Sequence, residues 1–144
     1  MKFSSFTQRI DGTGAGGWAI HDAATSAKIA GVDVVMLSAG DPDFATPPGI
    51  VDVAVEALRA GDTHYPEVSG RVSLRRAIVK RFERSTGLTV SEDDVAIFAG
   101  TQNALFACGL CLFEAGDELI VRDPMYVTYE AVFQAGGATL VPVS

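Results

Sequence analysis

A glycine turn between two apolar segments is the first feature of this sequence that could support chemistry. Residues 95–99 are continuously apolar, Gly100, Thr101 and Gln102 follow, and residues 104–113 form the longest apolar run. A glycine turn at a helix start aims several free backbone N–H groups at one point, where an anion can bind. Ordinary strand-to-helix connections have the same pattern, so the turn alone leaves both interpretations open.

Two tyrosines occupy positions from which they could face a ligand. Tyr126 follows a short apolar segment and Pro124, at the predicted carboxyl-end edge of a sheet, where ligands of open α/β sheets bind. Tyr65 lies in a loop with Pro66 and Gly70, where core packing does not easily explain a phenol. Each tyrosine also has a structural alternative, because Tyr126 could pack a helix start and Tyr65 could anchor its own turn.

Gly40 stands before a strong turn sequence. The residues after it are Asp41, Pro42 and Asp43, all common turn formers. A glycine leaves room for close approach, so a backbone amide here could be offered to a ligand carboxylate. A plain turn is the simpler interpretation.

Composition excludes several classes of protein. The chain has 144 residues, 48% of them hydrophobic, and a formal net charge of -7, which is typical of a globular chain with an acidic surface. No basic stripe is present to neutralise a nucleic-acid backbone, so no nucleic-acid partner is predicted. The longest apolar run is about half of the roughly 20 residues that a bilayer span requires, and no signal core opens the chain. We therefore expect a cytoplasmic protein without membrane contact.

The cysteines and histidines do not suggest a metal or redox site. Cys108 and Cys111 lie within the apolar run, where we expect buried core thiols. His21 and His64 are far apart and lack ligand spacing, so no metal is predicted.

Apolar spacing predicts alternating strands and helices. After a glycine-containing lead-in, expected to be a flexible arm, a helix is predicted over 18–30 and another after a capping Thr46. A third helix places Leu74, Ile78 and Phe82 on its apolar face, with arginines on the other side. The remaining predictions are strands over 34–37, 95–99, 119–121 and 138–141, and helices over 104–113 and 126–134. This alternation indicates a parallel α/β architecture.

Four segments, taken in order, resemble fold-type I pyridoxal-phosphate (PLP) enzymes, especially class I and II aminotransferases. They read LSAGDPDF (37–44), HYPEVSG (64–70), GTQNAL (100–105) and GDE continuing to PMY (116–126). The resemblance implies the N-terminal part of an incomplete three-layer αβα large domain with mainly parallel strands, preceded by an arm and helix. It also implies an arm, helix and substrate loop over 1–47 and the first part of the PLP-binding large domain over 48–144.

The resemblance assigns roles to individual residues. Gly100, Thr101 and Gln102 would hold the phosphate of pyridoxal 5'-phosphate, and Tyr126 would stack on its ring. Tyr65 would reach the phosphate of the other subunit of a homodimer. Gly40 would lie beside the carboxylate of the substrate, which would be an amino acid or a 2-oxo acid.

The lysine that forms the Schiff base is expected farther along the chain than Ser144, together with its acidic partner. Lys2, Lys28 and Lys80 have the pattern of solvated surface charges rather than of a desolvated amine. We therefore predict no catalytic residue within these 144 residues, no activity of this chain alone and weak or absent PLP binding.

Other functions remain open. The chain could be a non-catalytic remnant, or a dimerisation or phosphate-binding module. Another fold-type I enzyme, a lyase or a synthase, would share the same segments.

Overall fold

The computed structural model describes residues 2–11 and 16–144, which divide into two compact units: Met1–Gly40 with Ala99–Ser144, and Asp41–Phe98. The helices are α1 (Phe6–Ile10), α2 (Gly16–Ile29), α3 (Pro48–Arg59), α4 (Val72–Thr86), α5 (Thr101–Leu112) and α6 (Tyr129–Gln134), and a short 3-10 helix spans Glu92–Asp94. The strands are β1 (Glu118–Arg122) and β2 (Thr139–Val143). Among the described residues no helix is long and apolar enough to cross a membrane. The predicted domain boundary near Pro47 stays a prediction.

The first unit contains a parallel strand pair with a helix between its strands. β1 pairs with β2 from Glu118 opposite Thr139 to Arg122 opposite Val143, and α6 lies between the strands in sequence. Such a connection is the βαβ arrangement that alternating patterns predict. The predicted α/β class with parallel strands is therefore confirmed.

Helices α5 and α6 approach each other at the level of their backbones. A Cβ added to Gly136, just after α6, would lie 2.5 Å from the carbonyl oxygen of Gly109 in α5 and 2.7 Å from that of Phe113. Real Cβ atoms do not come this close to backbone oxygens, so glycine is required. Around this contact Val132, Ala135 and other small side chains form the buried core of the unit.

The second unit is built from α3, α4 and the 3-10 helix, and it has a similar close approach at Gly70. This residue has φ 97°, and an added Cβ would lie 2.4 Å from Cγ1 of Ile97. The neighbouring backbone is tied by a hydrogen bond of 2.9 Å from Ile97 N–H to the Ser69 carbonyl. The turn at Gly70 is thus packed directly against Ile97.

The predicted helices over 18–30 and around 50–58 and 74–82 are confirmed with small shifts of their ends. Gly31, Gly61 and Gly87, expected to follow helix ends, all have positive φ values between 74° and 83°. In this left-handed region glycine carries no Cβ penalty.

Two predicted strands are wrong. Residues 34–37 and 95–99 belong to no strand or sheet. A strand needs a ladder partner, and the described residues supply one only for β1 and β2. The prediction that 95–99 is buried on both faces is also wrong, since its side chains are exposed or half-buried.

The predicted inner face of α4 is reversed. Leu74, Ile78 and Phe82 are exposed, whereas Arg75 and Val79 are buried. Arg75 was expected on the polar face, but its Nη1 donates to the Glu92 carbonyl at 2.8 Å, which compensates for part of its burial. Its Nε is buried without a partner among the described residues. Periodicity identified the amphipathic helix but not the partner that α4 has in this unit.

The cysteine prediction is also wrong, because Cys108 and Cys111 are exposed. Helix α5 is apolar on nearly all sides, and among the described residues α6 covers one stripe of it, centred on buried Gly109. An apolar run predicts where burial is favourable, not which neighbour provides it.

Three smaller corrections concern helix starts. Thr46 does not cap α3, whose N-cap is Pro47 with Pro48 in the first turn. Tyr126 precedes α6 by three residues instead of beginning it. The lead-in contains α1, and Gly16 and Gly17 belong to α2, while Gly12 and Gly14 lie outside the described residues.

Candidate functional site

The start of α5 presents backbone donors to solvent. Gly100 is the N-cap, with φ 88° and ψ 162°, and no side chain caps the helix. The first N–H group bonded to the turn is that of Ala104, which donates to the Gly100 carbonyl at 3.2 Å. Thr101 and Gln102 precede it and are exposed. Their N–H groups, at the positive end of the helix dipole, can therefore donate to an anion.

Tyr126 lies in the turn that follows the carboxyl end of β1. This residue is 59% exposed. The Tyr126 ring makes an edge-type contact with the Tyr129 ring, with centroids 5.8 Å apart and planes at 62°. Tyr129 in turn contacts Phe133 at 5.6 Å, so the loop ring is anchored to α6 through aromatic pairs. An anchored, exposed ring is suited to stack on a planar ligand.

Gly40 lies at the end of a segment that is tied to α2. Nothing lies within 4 Å of a Cβ added at Gly40, so no described neighbour requires a glycine there. Two residues earlier, Ser38 Oγ lies 2.8 Å from His21 Nδ1 in a hydrogen bond. Trp18 packs edge-on against His21 at 5.8 Å. Sequence reasoning considered His21 only as a metal ligand, and no local signal marks a bond that spans 17 residues.

Tyr65 belongs to the second unit and its side chain is fully exposed. Its loop is closed at its base by an ion pair, because Arg71 Nη1 donates to Asp62 Oδ2 at 2.6 Å while Nη2 donates to the other oxygen. The hydrogen bonds from Arg71 hold the pKa of Asp62 below its usual value, and the pKa of Arg71 is raised in return. Sequence reasoning missed this clamp, although the bidentate pair is a common way to fix a loop.

Of the predicted site residues, Gly100, Thr101 and Gln102 are consecutive in sequence and form the start of α5. Gly40 and Tyr126 belong to the same unit, and Tyr65 belongs to the other. The three lysines, Lys2, Lys28 and Lys80, are exposed, as the sequence predicts.

Comparison with known proteins places these features in context. Residues 32–144 match the family described as aminotransferase class I and II. An arginine–pyruvate transaminase of Pseudomonas aeruginosa is 50% identical over 143 residues, which is 99% of this chain and 36% of that protein. An aspartate aminotransferase of Geobacillus stearothermophilus is 40% identical over 126 residues, covering 87% of this chain and 31% of that protein.

Solved structures agree in fold. The aspartate aminotransferase of Thermus thermophilus, solved with maleate, superposes with a TM-score of 0.90 at 32% identity over 99% of this chain and 37% of its own. An alanine aminotransferase from Pyrococcus furiosus gives a TM-score of 0.88 at 27% identity, covering 98% of this chain and 36% of its own. The chain therefore spans about a third of the length of the relatives that it matches.

Proposed function

Because this chain belongs to the class I and II aminotransferase family, we propose that it supplies the cofactor-phosphate cradle of a PLP-dependent aminotransferase. Such an enzyme transfers an amino group from an amino acid to a 2-oxo acid. The observation that carries the proposal is the start of α5, where exposed N–H groups stand uncapped beside a positive-φ glycine. The transaminase names of the relatives favour transfer over lyase or synthase chemistry.

The residues present fit the cofactor. The N–H groups of Thr101 and Gln102 would donate to its phosphate, with Gly100 leaving room for close approach, and Tyr126 would lie against its ring. When bound, PLP acts as an electron sink that stabilises negative charge at the substrate carbon. We assign no catalytic residue to these 144 residues and propose that they are inactive alone.

Binding by this chain alone should be weak. A helix start contributes up to ~2 kcal/mol to anion binding and stacking adds ~1 kcal/mol, against ~8 kcal/mol for micromolar affinity. We therefore expect a Kd no tighter than about 1 mM, a range that NMR titration can measure.

Amide NMR tests the cradle directly. PLP should shift the amide signals of residues 100–102, and pyridoxal, which lacks the phosphate, should not. Thr101→Pro removes one of the two donors at a helix position that tolerates proline, so it should weaken PLP binding and reduce the shifts at Gly100 and Gln102 while leaving α5 formed. Thr101→Ala is the matched control, because it removes the hydroxyl and keeps the N–H group. Equal binding by the wild type and Thr101→Pro would refute the backbone cradle, and micromolar binding would refute the predicted weakness.

We further propose arginine as amino donor and pyruvate as acceptor for the protein that carries this chain. The support is the 50% identity to an arginine–pyruvate transaminase. Initial rates with arginine and with aspartate, each with pyruvate, test this. A higher kcat/KM for aspartate would overturn the substrate proposal and leave the cradle intact.

The proposed partner is a second copy of the chain, with Tyr65 reaching the phosphate in the neighbouring subunit. The support is a fully exposed phenol on a loop held by the Asp62–Arg71 pair. In the assembled enzyme Tyr65→Phe should weaken PLP binding without changing the dimer measured by light scattering. Gly40 beside the substrate carboxylate and a cytoplasmic location also remain proposals.

A further inference from the structure

The cations of this acidic chain are concentrated around one helix. The chain has 11 Lys and Arg residues against 18 Asp and Glu. Six of the 11 cations are found in α4 and the residue before it: Arg71, Arg75, Arg76, Lys80, Arg81 and Arg84. Glu83 is the one carboxylate of α4. A positive region therefore stands out on a molecule of net charge -7.

The N-terminal cations of this group have hydrogen-bond partners within the second unit. Arg71 is paired with Asp62, and Arg76 Nε donates to Glu92 Oε1 at 2.7 Å. Arg75 donates to the backbone carbonyl of Glu92 at 2.8 Å. Arg71 and Arg76 are thus neutralised by ion pairs, whereas Arg75 is buried and keeps an Nε without a partner among the described residues.

The C-terminal cations differ. Lys80, Arg81 and Arg84 are exposed, and within residues 2–11 and 16–144 none of them forms an ion pair. They stand one, three and four positions apart, so they share one side of the helix and repel one another. Arg84 Nε donates to the Lys80 carbonyl at 3.3 Å, which leaves its other N–H groups free to bind an anion.

Open grooves lie along these side chains. One, of about 630 Å³, is lined by Ala77, Lys80, Glu83 and Arg84. Another, of about 340 Å³, is lined by Arg81, Arg84 and Ser85. Both grooves are open to solvent, and the small side chains of Ala77 and Ser85 leave room beside the cations.

We propose that this cationic groove of α4, defined by Lys80, Arg81 and Arg84, binds a polyphosphate anion. Guanidinium groups match phosphate oxygens with paired N–H donors, and the lysine adds a compact charge. A chain of phosphates carries several negative charges and can contact all three cations at once, which a monoanion cannot. The site is separate from the α5 start in sequence and does not depend on the proposed transaminase function.

Glu83 provides a second test, in which the affinity should change in the opposite direction. Its carboxylate lines the larger groove and repels an anion bound there. Removing this charge should therefore tighten binding, whereas removing arginine charges should weaken it.

Calorimetric and NMR titration with inorganic phosphate, pyrophosphate and tripolyphosphate at low ionic strength tests the site. Affinity should rise with the length of the phosphate chain, with amide shifts centred on residues 77–85. Arg81→Gln combined with Arg84→Gln should weaken tripolyphosphate binding about tenfold or more. Glu83→Gln should tighten it by about twofold or more. Arg59→Gln combined with Arg122→Gln, and Glu56→Gln, all at exposed positions outside α4, are the charge-matched controls and should change the affinity less.

Each alternative outcome would overturn the proposal. These outcomes are equal affinity of the double variant, weaker binding by Glu83→Gln, and shifts confined to the start of α5. Binding of an acidic peptide in place of tripolyphosphate would identify a protein partner instead. Circular dichroism of every variant establishes that α4 is still formed.

Discussion

Replacing Gly70 with alanine should destabilise the second unit by more than the conformational cost of placing an alanine in the left-handed region. Gly70 has φ 97°, and its added Cβ would meet Ile97 Cγ1 at 2.4 Å and Ile97 Cβ at 2.5 Å. The atom at 2.5 Å is next to the backbone, so a change of side-chain rotamer cannot remove the overlap. The hydrogen bond from Ile97 N–H to the Ser69 carbonyl opposes a backbone shift.

The magnitude follows from two separate costs. An L-residue in the left-handed region costs about 1–2 kcal/mol. Forcing an extra carbon into a packed contact costs about 1–3 kcal/mol. Gly70→Ala should therefore lower the free energy of unfolding by about 2–5 kcal/mol.

Gly87→Ala is the matched control. Gly87 also has positive φ, 74°, but nothing lies within 4 Å of its added Cβ. It should cost only the conformational part, about 1–2 kcal/mol. Urea unfolding of the three proteins, followed by circular dichroism, measures both losses. If the two variants lost equal stability, the packing argument at Ile97 would be refuted.

Two further predictions each concern one polar interaction, an ion pair and a hydrogen bond. In Arg71→Gln the pKa of Asp62 should rise toward its ordinary value of 3.8, while the pKa of Asp94, lowered by hydrogen bonds from Ser91, should stay low; carboxyl NMR titration measures both. Because the folded-state pKa of Asp62 is depressed, the ionised carboxylate stabilises the fold at pH values above about 3.8, and this stabilisation is lost as the pH falls through the folded-state pKa. Arg71→Gln should therefore reduce the loss of stability over this pH range. Ser38→Ala should cost about 0.5–1.5 kcal/mol by removing the bond to His21, whereas Ser26→Ala on the exposed side of α2 should be neutral; equal effects in thermal unfolding would argue against that bond.

Local sequence was sufficient for features that depend on near neighbours. The glycines after helix ends, the existence of α3 and the turn before α5 all depend on residues a few positions apart, and these predictions are confirmed. The predicted apolar face of α3 is not, because none of its residues is buried. The parallel arrangement of β1 and β2 also followed from the alternation of elements.

Features that depend on distant neighbours could not be predicted. The pattern of α4 marks Leu74 as an inner residue, yet Arg75 is the buried one because the 3-10 helix offers it a carbonyl acceptor. Residues 95–99 have a strand composition, but a strand exists only where a partner continues the ladder. The roles assigned to Tyr65, Tyr126 and Gly40 came from family resemblance and stay predictions, because their ligands would lie outside this chain.

The contact between Gly109 and Gly136 determines which positions of α5 tolerate substitution. Because main-chain atoms set the spacing of α5 and α6 there, the direction of α5 depends little on the identity of its exposed side chains. A scan of substitutions over α5 and at Gly136 should then find Gly109 and Gly136 intolerant, whereas Cys108 and Leu110 should exchange freely for residues of good helix propensity. The donors at Thr101, two turns away, would keep their place while the helix behind them changed.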